Sequence, residues 1–159
     1  MKHIFRTLVV VSIFASCQNP PSISEDAPIS EEEIGMAKEL IQGTFDDIWG
    51  GLDSNKILDY QTKDFMLLEH GEVWNNDTIK AYMREMLARP ERTKRVNTMD
   101  YISIDKYGPS IQIVYRNHAE FFRADTLAGK AGWLETALAI PTEKGWRLKM
   151  MHSTRLPRK

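Results

Sequence analysis

The chain reads as an α+β fold built on a strongly curved, mainly antiparallel sheet. Three observations carry that expectation. First, helical periodicity dominates the first half of the folded region and strand periodicity the second, a segregation that places helices on one face of a sheet. Second, residues 110–122 alternate, with Ile111, Ile113 and Tyr115 on one face and Gln112, Val114 and Arg116 on the other. Third, at about 3.3 Å per residue such a strand runs roughly 40 Å, whereas a domain of this size has a radius of gyration of only about 14 Å. The strand must therefore bend, and a bulge is the usual device. A bent sheet has a concave side, which holds either a helix or a pocket.

Composition bounds the function. The chain has 159 residues, 42% of them hydrophobic, enough to fill the core of one domain. A net charge of −1 gives no electrostatic footprint for nucleic acid. The single cysteine, Cys17, excludes an internal disulfide and a cysteine-rich metal site.

Residues 1–16 read as a targeting leader. Lys2, His3 and Arg6 form a basic start, and residues 8–14 form an apolar stretch too short to span a bilayer. Ala15 and Ser16 then precede Cys17. Small residues before a lone cysteine at this place resemble the lipobox of bacterial lipoproteins. The resemblance implies a diacylglyceryl group on the Cys17 thiol and a folded domain outside the cytoplasm, tied to a membrane of the cell envelope. The alternative is an ordinary cleaved leader with an incidental free cysteine. Residues 17–29 carry Pro20, Pro21 and Pro28 among polar residues and read as a flexible tether. The domain is expected over residues 30–156.

Ser30 with Glu33 matches a capping box, and Glu31, Glu32 and Glu33 suit the positive end of a helix. Ile34, Ala37, Leu40, Ile41, Phe45, Ile48 and Trp49 follow at helical spacing, and Gly50 with Gly51 ends the run. Asp53 or Ser54 would cap a short second helix containing Ile57 and Leu58. Residues 65–68 form a strand, and residues 69–72 turn the chain. Asn76 or Asp77 would cap a third helix whose apolar side holds Ile79, Tyr82, Met83, Met86 and Leu87, with Pro90 beyond its end. A strand over residues 95–106 follows, alternating Val96, Thr98 and Tyr101 loosely with polar residues. Tyr107, Gly108 and Pro109 turn into the long strand. Ala128, Gly129 and Lys130 read as the next turn, 133–140 as a strand, and Glu143, Lys144 and Gly145 as a hairpin turn. On the last strand Trp146, Leu148, Met150 and His152 share one face by simple alternation.

This order resembles the nuclear transport factor 2-like superfamily. The local matches are Lys63-Asp64-Phe65-Met66-Leu67-Leu68-Glu69 and Gly145-Trp146-Arg147-Leu148, with Thr136 upstream of the second and His152-Ser153-Thr154 downstream. They are most similar to its SnoaL-like and uncharacterised secreted branch. The resemblance implies a cone-shaped roll with three N-terminal helices packed on the concave face of the sheet. Its motifs are core and turn residues, so they speak for fold more than for activity.

Members of the superfamily include ketosteroid isomerase, whose general base is an Asp at the end of the first strand; Glu69 falls there. The partners of that base would fall on Thr44 or Phe45 and near Thr136, and neither position supplies an acidic donor. The isomerase reaction is therefore not implied.

The candidate pocket consists of Glu69, Tyr115, Asn117 and His152. Asn117 shares the inward parity of Ile111 and Ile113 unless a bulge reverses it, and a polar group there requires a partner or a ligand. Trp133 and Trp146 read as packing. His118 and Glu120 share a strand face, but nothing completes a metal site, and no metal or cofactor is expected. The reading favoured is a membrane-tethered domain that binds a small apolar molecule or a peptide. The alternative is an isomerase, dehydratase or cyclase using Glu69 or His152 for proton transfer. The outer sheet face, with Arg147 and Lys149, is a candidate homodimer surface.

Overall fold

The computed structural model describes residues 28–157. Residues 1–16, Cys17 and the tether up to residue 27 lie outside the described residues, so the leader and the lipid attachment are not addressed by it. Helix α1 (Glu31–Gly43) continues into a π-helical segment, Thr44–Gly50. A 3₁₀ turn (Ser54–Lys56) and the short α2 (Ile57–Tyr60) lead into strand β1 (Gln61–Glu69). Then come β2 (Glu72–Trp74), α3 (Asn76–Ala88), β3 (Lys94–Tyr107), β4 (Ser110–Arg123), β5 (Thr126–Thr142) and β6 (Gly145–Arg155). One six-stranded sheet has the order β2-β1-β6-β5-β4-β3. Only the β1–β6 pair is parallel. The fold is thus α+β with a mainly antiparallel sheet.

Each helix begins where the local chemistry dictates. The Glu33 amide donates to Ser30 Oγ at 3.2 Å and the Ser30 amide to Glu33 Oε2 at 3.0 Å, so the box satisfies two orphan donors reciprocally. Lys106 Nζ donates to Glu33 Oε1 at 2.6 Å, tying the start of α1 to the end of β3. Hydrogen bonds from Lys106 and Ser30 lower the Glu33 carboxyl to about 2. Thr44 Oγ1 donates back to the Leu40 carbonyl at 2.7 Å where α1 widens into the π-helical segment, a local bond of the kind that bends helices. The Tyr60 ring lies where a side chain on Gly43 would stand, and its hydroxyl donates to Asp47 Oδ2 at 2.6 Å. Helix α3 is capped by Asn75, just before the expected Asn76 or Asp77. Asn75 Oδ1 accepts from the Asp77 and Thr78 amides at 3.0 Å each. Asn76 is buried and donates to the Thr62 carbonyl at 2.9 Å.

The core lies between the helices and the inner sheet face. Ala37, Leu40, Ile41, Phe45 and Ile48 meet Phe65, Leu67, Ile111, Ile113, Ala137, Ala139, Leu148 and Met151. Strand β4 keeps one parity, burying Ile111, Ile113, Tyr115, Asn117 and Ala119. The bulges that curve the sheet sit on its neighbours instead. Ile102 of β3, Ala128 of β5 and Lys149 of β6 each stand without a partner in the register.

Two expectations are corrected by those bulges. The chain does not turn at Ala128, Gly129 and Lys130. It reverses at Ala124, where φ is 50°, and the later residues belong to β5. On β6 the alternation holds to Leu148 and then shifts by one residue at Lys149. Met151 and Ser153 therefore face inward and His152 is exposed, while Trp146 packs partly buried against the core. Lys149 turns outward to pair with Asp64. On β3 the inward row is Arg95, Asn97, Met99 and Tyr101, while Val96 and Thr98 point out.

Candidate functional site

The inner face of the sheet is polar at one end. There a cavity of about 200 Å³ opens between the sheet, the π-helical segment and α3. Phe45, Trp49, Trp74, Tyr82 and Trp133 supply aromatic walls, and Leu67 and Met151 supply aliphatic ones. Arg95, Glu135 and Ser153 lie on the sheet side, with Glu69, His70 and Arg155 completing the lining. His70 and Gly71, with φ of 53° and 79°, form the turn of the β1–β2 hairpin beside it, the double positive φ of a two-residue hairpin loop. Glu69 Oε1 lies 3.4 Å from His70 Nε2.

The polar groups form a continuous chain across four strands. Arg95 Nε donates to Asn97 Oδ1 at 2.9 Å, and Asn97 Nδ2 to Asn117 Oδ1 at 2.6 Å. Asn117 Nδ2 donates to Glu135 Oε2 at 3.2 Å, and Ser153 Oγ to Glu135 Oε1 at 2.9 Å. Each amide uses its oxygen toward β3 and its nitrogen toward β6, so the pattern has one direction.

Glu135 is only 4% exposed. Burial pushes its carboxyl up to about 7, against the opposing pull of Ser153, Tyr115, Asn117 and the Arg95 charge. Tyr115 is fully buried beside it. Its hydroxyl has no hydrogen-bond partner at full geometry, and burial together with Glu135 raises its pKa well above the ordinary value. Burial lowers the Arg95 pKa, but a guanidinium starts so high that it stays charged. Its guanidinium carbon lies 5.6 Å from the Phe45 ring centroid, 5.8 Å from Phe121 and 5.1 Å from Trp133. Arg155 lies 5.1 Å from the same Trp133 ring.

The four residues singled out in the sequence fare differently. Glu69 lines the cavity. Tyr115 and Asn117 are buried behind its polar side, in contact with Glu135. His152 is exposed, on the outward parity of β6, and lines a separate depression beside the β1–β2 hairpin rather than the cavity. The bulge at Lys149 removes it from the group. Sequence reasoning missed Arg95, Asn97, Glu135 and Ser153. For Glu135 a signal existed: it shares the inward parity of Trp133 and Ala137. It also stands one residue from Thr136, so an inward-facing acid lies next to the position where the resemblance found none. Among the described residues no group of three or more His, Cys, Asp or Glu has metal-holding geometry. His118 pairs with Asp100 and Glu120 with Lys130. No helix among the described residues is long and apolar enough to cross a membrane.

No family model and no curated protein matches the chain. Solved structures do. A nuclear transport factor 2-like protein from Cytophaga hutchinsonii superposes with a TM-score of 0.62 at 10% identity, covering 80% of this chain and all of that one (100%). The chain has the nuclear transport factor 2-like fold. The CaMKII hub of S. rosetta superposes on the same fold with a TM-score of 0.62 at 12% identity, over 77% of this chain and 95% of the hub. A protein with a cystatin-like fold from Nostoc punctiforme gives 0.63 at 14% identity, over 82% and 96%. At these identities the likeness speaks for the nuclear transport factor 2-like fold alone.

Proposed function

We propose that the protein is a membrane-tethered domain of the nuclear transport factor 2-like fold that binds a small amphipathic molecule in the aromatic cavity. One observation carries the reading: Phe45, Trp49, Trp74, Tyr82 and Trp133 surround a concavity that also holds the half-buried Arg95 and the buried Glu135. Aromatic walls with a few fixed polar groups are the usual make-up of a ligand site. Tethering would run through Cys17 as a lipid attachment, with residues 17–29 as the spacer and the domain outside the cytoplasm. Two or three acyl chains, at about 0.8 kcal/mol per buried methylene, would anchor it durably. The outer sheet face exposes Met66 and Leu134 and is the candidate surface for a second copy.

Native mass spectrometry of the protein from its own host tests ligand and subunit count together. A retained small molecule, lost in Trp133→Ala, supports the reading; a bare monomer with no retained mass counts against both binding and dimerisation. Cys17→Ala should block maturation through the lipoprotein pathway. Wild-type membrane fractionation of that variant would refute the anchor.

A second reading, proton-transfer catalysis, draws support from Glu135, held near neutrality in a cleft. In it the candidates are Glu135 and Glu69, both in the cavity lining, and no longer His152, which lies outside it. Turnover of a small isomerisable substrate, abolished by Glu135→Gln, would favour this reading over binding alone.

A further inference from the structure

We propose that the molecule held in the cavity is a monoanion of the carboxylate class, that its charged end pairs with Arg95, and that its binding is accompanied by uptake of one proton at Glu135. The inference rests on the small-molecule reading above and names the chemistry of that ligand.

The first support is a surplus of donors. Among the described residues Arg95 makes one hydrogen bond, from Nε to Asn97, and no ion pair. Its terminal nitrogens have no acceptor. Arg95 lines the cavity with those outer donors unpaired, so its complement is a molecule that brings acceptor oxygens.

The second support is shape. The free edge of a guanidinium offers two parallel donors, which match a carboxylate. The Trp133 and Phe45 rings flank that guanidinium at 5.1 and 5.6 Å, which favours a flat or apolar body behind the charged end.

The third support is charge. Arg95 and Tyr115 face Glu135 directly, and Glu69, His70, Tyr82 and Arg155 share the cavity or its rim. Arg95 carries the one cationic charge deep in the site, and two carboxyls already face it. A dianion would add repulsion that no further buried cation offsets, which selects a single charge. When that charge arrives, the carboxyl least able to be solvated is Glu135, at 4% exposure. Protonation there keeps the buried charge balanced. Folding alone already holds this carboxyl close to half-protonated at neutral pH.

Calorimetric titration with phenylacetate and its neutral analogue phenylacetamide tests both halves. The titrations are run at about pH 8 in phosphate and in Tris, whose ionisation enthalpies differ. Phenylacetate should bind about tenfold tighter or more, the scale of one desolvated charge-assisted hydrogen bond. Arg95→Gln should erase that preference and Arg95→Lys should retain part of it. With phenylacetate the apparent enthalpy should differ between buffers by an amount approaching one proton taken up. Glu135→Gln should still bind and show no uptake. Equal affinity for the two probes, or an Arg95→Gln variant that keeps the preference, overturns the anion assignment while leaving small-molecule binding intact. Buffer-independent enthalpy, or unchanged uptake in Glu135→Gln, overturns the proton assignment. If neither probe binds to the folded wild-type protein, the small-molecule reading fails together with this one.

Discussion

Replacing Glu135 by glutamine removes the ionisation and keeps the shape. The folded protein holds this carboxyl at about 7, against an ordinary 4.5. Because folding raises the pKa, the native state binds the proton more tightly than the unfolded chain. The stability linked to it is complete below about 4.5 and is lost as the pH rises through about 7. At about 1.4 kcal/mol per pH unit, that gap amounts to roughly 3 kcal/mol. Glutamine can still accept from Ser153, but its amide would meet the Asn117 amide donor to donor. Losing that hydrogen bond costs about 1 kcal/mol. The variant should therefore be less stable than the wild type by about 1 kcal/mol near pH 4.5 and more stable by about 2 kcal/mol near pH 8. Urea unfolding of both proteins across that range reads the difference directly, and every other titrating group cancels in it. A difference that stays flat with pH would mean that Glu135 is ionised throughout, and the argument from burial would fall.

Three further outcomes follow from the same geometry. Leu148→Ala should destabilise by about 2–5 kcal/mol, because that side chain is fully buried; His152→Ala should stay within about 0.5 kcal/mol of wild type. Comparable losses at the two positions would place the bulge elsewhere on β6. Ser30→Ala should cost about 1 kcal/mol by removing the α1 cap, read as a shift in urea midpoint, and no shift would mean that the box is not formed in solution. Glu33 has a pKa lowered to about 2 by Lys106 and Ser30. Its contribution should be present above the ordinary 4.5 and disappear as the pH falls toward 2, so Lys106→Met should flatten the acid limb of the stability curve.

The succession of elements was legible because periodicity is strong in both halves. The capping box, the hairpin at Gly145 and the parity of β4 could be read residue by residue. Strand parity failed on β6 because a bulge inserts one residue without a local signature: Leu148, Lys149, Met150 and Met151 alternate acceptably in either frame. The turn read at Gly129 failed for the same reason, since a small residue suits a turn and a bulged strand equally well. The site was half legible. Asn117 stood out as a polar residue on an apolar row, and the same reasoning applied to the row of Trp133 and Ala137 would have reached Glu135. Arg95 was hidden because its neighbours on the inward row of β3 begin with Asn97, and a polar alternation looks like a solvent-facing one. What makes that row inward is its partners, the Asn117 amide on β4 and the Glu135 carboxyl on β5, which no local window contains.

The side-chain relay from Arg95 to Ser153 spans β3, β4, β5 and β6, and it has a mechanical consequence. Sliding any of these strands past its neighbour would break a bond in a place that water does not easily refill. The sheet side of the cavity is therefore stiff. The three-residue β2 lies at the sheet edge, joined to β1 through the turn at His70 and Gly71, with Val73 68% exposed. Motion that admits a molecule falls to that hairpin. In hydrogen exchange, amides of β4 and β5 should be the slowest in the domain and those of residues 70–74 among the fastest. A bound molecule should slow the hairpin while leaving the sheet unchanged, so that the on-rate is set by a flap and the affinity by a surface that barely moves.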